Sequence, residues 1–148
     1  MMSDATSVSE RMKRLAARDP FPASLGIECL EGAPGRAVVR MQVGERHLNL
    51  NGSCHGGAIF SLADTAFGLA SNAYGVVAAG IDVHITYIAA AKLGDVLTAT
   101  ATEVSRNRKL GVYRIDVSNA DNVLIAGFTG TAYITSRSND GAVAGGQE

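Results

Sequence analysis

Tryptophan is absent, and aromatic residues make up only 5% of the 148-residue chain. The core must therefore be built from small aliphatic side chains whose elements approach closely. There are two cysteines, Cys29 and Cys54, and no C-x-x-C pair, which excludes a disulfide framework and a zinc ribbon and points to a reducing compartment. No metal site is expected. No run of about 18 apolar residues is present to cross a membrane, and Met1 to Glu10 lacks the apolar stretch of a secretory signal; the expectation is a cytoplasmic protein with no membrane partner. Neither charge sign is in excess, with 13 Lys and Arg against 14 Asp and Glu, so nothing global favours a nucleic-acid partner.

What is present is a 47% hydrophobic chain with 17 glycines, enough for one domain with a sizeable core. Its organising stretch runs from His55 to Tyr74. At ~100° per residue, Ile59, Leu62, Ala66, Leu69 and Ala73 share one face of a helix. Gly57, Ser61, Asp64, Gly68 and Ser71 share the opposite face. A solvated helix normally carries Lys, Glu and Arg on its outer side. Here one carboxylate stands among small residues, so a second chain or a ligand is expected against that face. The preceding loop, Asn49 to Gly57, ends in two glycines that allow close approach to unpaired N–H groups at the helix start. Those donors and the helix dipole stabilise a carbonyl oxygen that becomes negative during acyl transfer.

Around this helix, Val8–Asp19 reads as a short helix stopped by Pro20 and Pro22, and Ser24–Glu31 and Arg36–Val43 as a hairpin. Gly80–Ala90, Asp95–Arg106, Leu110–Ser118 and Val123–Thr135 read as four more strands with short connections, hence antiparallel neighbours. The expected layout is α+β: an antiparallel sheet of about six strands wrapped around one long central helix. Residues 1–23 are expected to form an N-terminal helical extension, 24–135 the domain and 136–148 a disordered tail.

The loop and helix, with the run His55-Gly56-Gly57-Ala58-Ile59-Phe60-Ser61-Leu62-Ala63-Asp64, resemble those of the hotdog-fold acyl-CoA thioesterases. The likeness extends to Gly94-Asp95 and to Gly127-Phe128-Thr129-Gly130-Thr131, and is closest to the phenylacetate-degradation (PaaI-type) group. It implies the hotdog fold, hydrolysis of an aryl-acetyl (phenylacetyl or hydroxyphenylacetyl) CoA thioester, and a site shared across a dimer interface in a homotetramer. The catalytic carboxylate falls on Asp64, the oxyanion-binding N–H on Gly56, the site asparagine on Asn49 (with Asn51 two residues on as the other choice) and the loop histidine on His55. Gly57 and Phe67 are expected near the substrate, and Arg106, Arg108 and Lys109 are candidates for the CoA phosphates. No cofactor is implied, coenzyme A entering as part of the substrate. The family's proline after the first long strand is replaced by Ala89-Ala90-Ala91, beside the expected substrate channel. A hydratase using His55 with Asp64, and a non-catalytic acyl-CoA binder, are the competing readings.

Overall fold

The computed structural model describes residues 8–140. Two short helices lead the chain, α1 (Glu10–Ala17) and α2 (Pro20–Ser24), followed by β1 (Glu28–Ala33), β2 (Arg36–Gln42), the long helix α3 (Gly56–Asn72), β3 (Val76–Tyr87), β4 (Val96–Arg106), β5 (Leu110–Ser118) and β6 (Leu124–Ser138). The six strands form one antiparallel sheet in the order β1-β2-β4-β5-β6-β3. Helix α3 lies across its concave side, and the face predicted to pack does so: Ile59, Leu62, Ala66, Leu69 and Ala73 are all buried. This is the hotdog arrangement expected from the sequence.

Several boundaries differ for identifiable reasons. Pro20 does not merely stop the first helix; it starts a second one as its first residue, where a missing N–H is harmless. Helix α2 takes Ser24, and a left-handed turn at Gly26 follows, so β1 begins only at Glu28. The short connection after β3 predicts a return to a neighbouring strand. Instead the N–H groups of Ile88 and Ala89 both donate to the Ile125 carbonyl, and the chain crosses beneath the start of α3 to place β4 beside β2. Eight residues suffice to carry the chain across the molecule.

The N-terminal segment packs into the same core. Met12 is fully buried and its sulfur fills the space a side chain at Gly32 would need. The expected tail is also corrected in part. Strand β6 runs on to Ser138, and Asn139 is buried. Its Nδ2 donates to the carbonyls of Asn72 (2.8 Å) and Val76 (3.1 Å), its carbonyl accepts from Arg18, and Asp140 pairs with Arg11 at 2.9 Å. A polar segment is ordered here by hydrogen bonds rather than apolar burial. Residues 141–148 of that expected tail lie outside the described residues.

The two edges of the sheet are unlike. Strand β1 is short, bulged between Cys29 and Glu31, and bridged by Val8 at Gly32. Strand β3 has 12 residues, of which Ala78 alone is buried. Ile81, Val83 and Tyr87 are among its exposed side chains. Single-chain proteins blunt such edges with charge, proline or a covering element; β3 has an Asp82 and a His84 but no lysine and no proline.

Candidate active site

Helix α3 is capped by His55, whose Nδ1 accepts from the Gly57 N–H at 2.8 Å. The His55 carbonyl accepts from Ala58 and Ile59. Of the four N–H groups that open the helix, three are thus engaged. The fourth, that of Gly56, has no acceptor among the described residues, and it borders a cleft of about 400 Å³. Tyr87 completes this corner: its hydroxyl donates to the Gly56 carbonyl at 2.9 Å, and its ring lies so near that a Cβ on Gly56 would meet it at 3.2 Å. Glycine lets the tyrosine close on the helix start; a side chain here would make the ring shift by a few tenths of an ångström.

Asn49 organises the loop beneath. Its Oδ1 accepts from the N–H groups of Asn51 (2.8 Å) and Ser53 (3.1 Å), and both asparagines line the cleft. The opposite wall is Ile88 to Ala91, the segment where alanines stand in place of the family's proline. No charged side chain lines the cleft, which suits a neutral thioester and leaves a backbone donor as its strongest polar feature.

Asp64 is eight residues further along α3, about 12 Å away at 1.5 Å per residue. It faces outward beside Ser61 and Gly68; a Cβ at Gly68 would touch nothing within 4 Å. Ser71, predicted for this open stripe, is buried instead and donates to the Gly68 carbonyl. The Asp64 side chain is exposed in the single chain, yet the surrounding protein desolvates its carboxyl and pushes its pKa above the ordinary carboxylate value, with the charge of Asp19 adding to the effect. A carboxyl raised in this way is a stronger base.

The structure therefore brings together Gly56, Gly57, Asn49 and His55, and holds Asp64 apart from them. It does not bring Phe67 to the site. The Phe67 ring is 2% exposed, tilts against Tyr113 and Phe128 at 5.8 Å each, and sits over Gly80 and Gly130; it belongs to the core. The basic cluster is split as well. A bulge between Glu103 and Ser105 turns Arg106 to the inner side of the sheet, where its guanidinium stacks 3.7 Å over the Tyr74 ring. Arg108 and Lys109 remain exposed and line a recess with Tyr133, Thr135 and Ser136. By the pairing of Leu110 with Tyr133 and Tyr133 with Ala79, they lie eight residues of β3 from Tyr87, about 26 Å from their own chain's cleft.

Tyr87 is a site residue that the sequence alone does not mark. As an aromatic at the end of an alternating strand it carries no signal until the crossing of β3 over the helix start is known. Cys54 is no nucleophile: it is buried, and burial, with Asp95 nearby, pushes its thiol up to about 11, leaving it protonated at neutral pH. His55 does not pair with Asp64 within one chain, since its ring is turned back onto Gly57; a hydratase pairing of the two has no support in the single chain. Because the His55 ring is a helix cap, His55→Ala is expected to lower the unfolding free energy by about 1 kcal/mol, read as a lower urea midpoint at unchanged slope.

A family model described as the thioesterase superfamily matches residues 51–126. The chain is 39% identical to acyl-coenzyme A thioesterase PaaI of Escherichia coli, over 78% of this chain and 82% of that protein. The solved structure of E. coli PaaI superposes with a TM-score of 0.84 at 34% identity, covering 89% of this chain and 99% of that one. Human acyl-coenzyme A thioesterase 13 is 32% identical over 85% of this chain and 93% of its own length. A Streptococcus pneumoniae thioesterase protein solved with coenzyme A matches with a TM-score of 0.73 at 30% identity, over 76% of this chain and 91% of that one. The chain belongs to the thioesterase superfamily, with the hotdog fold of its PaaI-type members.

Proposed function

We propose that this protein hydrolyses acyl-CoA thioesters, and that each active site is built from two copies of the chain. The observation that carries the reading is the Gly56 N–H: the one donor at the start of α3 left without an acceptor, open to an uncharged cleft. A thioester carbonyl received there has its developing negative charge stabilised by the N–H and the helix dipole behind it. The base is Asp64 of a second chain, because Asp64 of the same chain is a dozen ångströms away along a rigid helix. As the base it takes a proton from water while the water oxygen attacks the carbonyl carbon. The tetrahedral oxyanion then collapses, the carbon–sulfur bond breaks, and the CoA thiolate recovers the proton from Asp64. Direct attack by the carboxylate, giving a mixed anhydride that water then opens, yields the same acid and CoA. Neither route calls for a metal or a redox cofactor.

The long β3 edge, with neither lysine nor proline and with Ile81 and Val83 exposed, supports the dimer. Two β3 strands pairing antiparallel across a two-fold axis satisfy each other's free backbone groups and bury Ile81 and Val83. That pairing reverses the ends of the two sheets, so that Arg108 and Lys109 of one chain approach the cleft of the other, where they would meet the CoA phosphates. The family resemblance adds a tetramer of two such dimers, a cytoplasmic location and an aryl-acetyl substrate, phenylacetyl or hydroxyphenylacetyl.

The test is hydrolysis of phenylacetyl-, hydroxyphenylacetyl-, benzoyl-, hexanoyl- and palmitoyl-CoA, followed by free-thiol release, for the wild type and for Val83→Lys. The wild type should turn over the aryl-acetyl thioesters best. Val83→Lys places a charge at the pairing edge; it should sediment as a folded monomer and lose turnover by about 100-fold or more, as expected when an oxyanion donor and its base are separated. An active monomer would overturn the shared site, and a wild type that cleaves no thioester would leave the chain a binder.

A further inference from the structure

A second, smaller recess lies beside Asp64, between the N-terminal segment and α3. Its walls include Asp19, Ala23, Ile27 and Cys29 from the first third of the chain and Thr65 and Leu69 from the helix. The volume is about 40 Å³, room for about three water-sized groups. The lining is apolar apart from Asp19 and Thr65, and the Thr65 hydroxyl is already donated to the Ser61 carbonyl at 2.7 Å. The free polar group facing the space is the Asp19 carboxylate.

That carboxylate is oddly placed for a structural role. Asp19 stands at the N-cap position of α2, where an aspartate ordinarily accepts a backbone N–H, yet its side chain makes no such bond. Its neighbour Arg18 is directed to the Asn139 carbonyl instead, and among the described residues no cation is paired with Asp19. The residue is exposed on its outer side, yet the protein around its carboxyl still pushes the pKa up, and its charge reaches Asp64, the neighbour of the recess residue Thr65.

We infer that this recess receives the far end of the acyl group while the thioester carbonyl lies at Asp64, and that Asp19 restricts it to uncharged ends. The inference rests on the acyl-CoA thioesterase reading given above. Thr65 adjoins Asp64 and Leu69 is little more than a turn beyond it. A carbonyl held at Asp64 is thus about one helical pitch, ~5.4 Å, from the recess, a span of about four carbon–carbon bonds. The last carbons of a short chain, or the far edge of a ring, fit the apolar lining. An acyl group ending in a carboxylate would bring a second negative charge against Asp19 at the recess, a repulsion that solvent screens only in part.

The test compares acetyl-, hexanoyl- and adipoyl-CoA; the last differs from hexanoyl-CoA in carrying a carboxylate in place of the terminal methyl. The wild type, Asp19→Asn and Cys29→Leu are assayed for kcat/KM. Asp19→Asn should raise the adipoyl-to-hexanoyl ratio about threefold, the scale of a like-charge repulsion removed from a solvent-screened site. Cys29→Leu, which fills the recess, should lower the hexanoyl-to-acetyl ratio about tenfold, the scale on which pockets discriminate by a methylene or two. If Cys29→Leu fails to fold by circular dichroism, Ala23→Leu fills the recess from its other wall and the same ratio is read. Ratios that stay at the wild-type values, with all three substrates rising or falling together, would overturn the inference and leave the thioesterase reading standing. A wild type that hydrolyses neither these nor the aryl-acetyl thioesters would overturn both.

Discussion

Asp64→Asn is expected to lower kcat/KM for any acyl-CoA substrate by about 10³-fold, within the range supplied by a positioned general base, while the protein folds and assembles as before. Asparagine keeps the size and outward position of the side chain but cannot accept the water's proton or attack the carbonyl. The same change should not lower stability at neutral pH. Desolvation, followed by the Asp19 charge, raises the Asp64 carboxyl above its ordinary value, which means that the folded state holds the proton more tightly than the unfolded chain. The ionised carboxyl therefore works against folding above that raised value, and its unfavourable contribution fades as pH falls below the ordinary carboxylate range. Thermal unfolding should show Asp64→Asn with a Tm at or above that of the wild type at pH 7, and the difference should shrink at pH 4. A variant that loses both activity and Tm would mean that Asp64 holds the fold together rather than the chemistry.

Phe67→Ala is expected to do the reverse. The ring is enclosed by Tyr113 and Phe128 and rests on Gly80 and Gly130, so its loss leaves a cavity at the centre of the contact between helix and sheet. Truncations of this kind cost about 3–5 kcal/mol, a large part of the about 5–15 kcal/mol that holds a domain together. For a chain of this length the Tm should fall by about 10 °C. Measured below that transition, the ratio of phenylacetyl- to hexanoyl-CoA turnover should match the wild type. A changed ratio at unchanged stability would return Phe67 to the substrate, where the sequence had placed it.

Why Phe67 was misplaced shows what a sequence can and cannot disclose. Helical periodicity correctly assigned Ile59, Leu62 and Leu69 to the core and left Asp64 outside, since both follow from spacing within one element. Phe67 lies at the margin of that stripe, and what buries it is the absence of side chains at two positions on two other strands. Nothing near residue 67 announces that Gly80 and Gly130 will lie beneath it. Arg106 was misjudged for a related reason: one extra residue in β4 reverses the alternation that follows, and a bulge leaves no mark in the pattern of residue types. The Leu110–Ser118 strand was legible to the residue because its alternation and both turns are local. The position of β3 at the far edge was not, because a connection's length limits which strands it can join without choosing between them. Gly56 was legible as a glycine before a helix. That its N–H alone is free became visible only with the His55 ring in place on Gly57.

The buried amide of Asn139 bears on where the chain can be shortened. A protein ended at Thr135, the boundary suggested by composition, would retain every strand pairing that frames the cleft. It would lose the side chain that joins the last turn of α3 to the first residue of β3 through the Asn72 and Val76 carbonyls, and with it the partners of Arg11 and Arg18. One carbonyl at the end of the helix that carries Asp64 and one at the start of β3 would be stranded, and the N-terminal segment that walls the small recess would lose these ties. The five residues from Ser136 to Asp140 accordingly belong to the working length of the enzyme, and a truncation or fusion point should leave them in place.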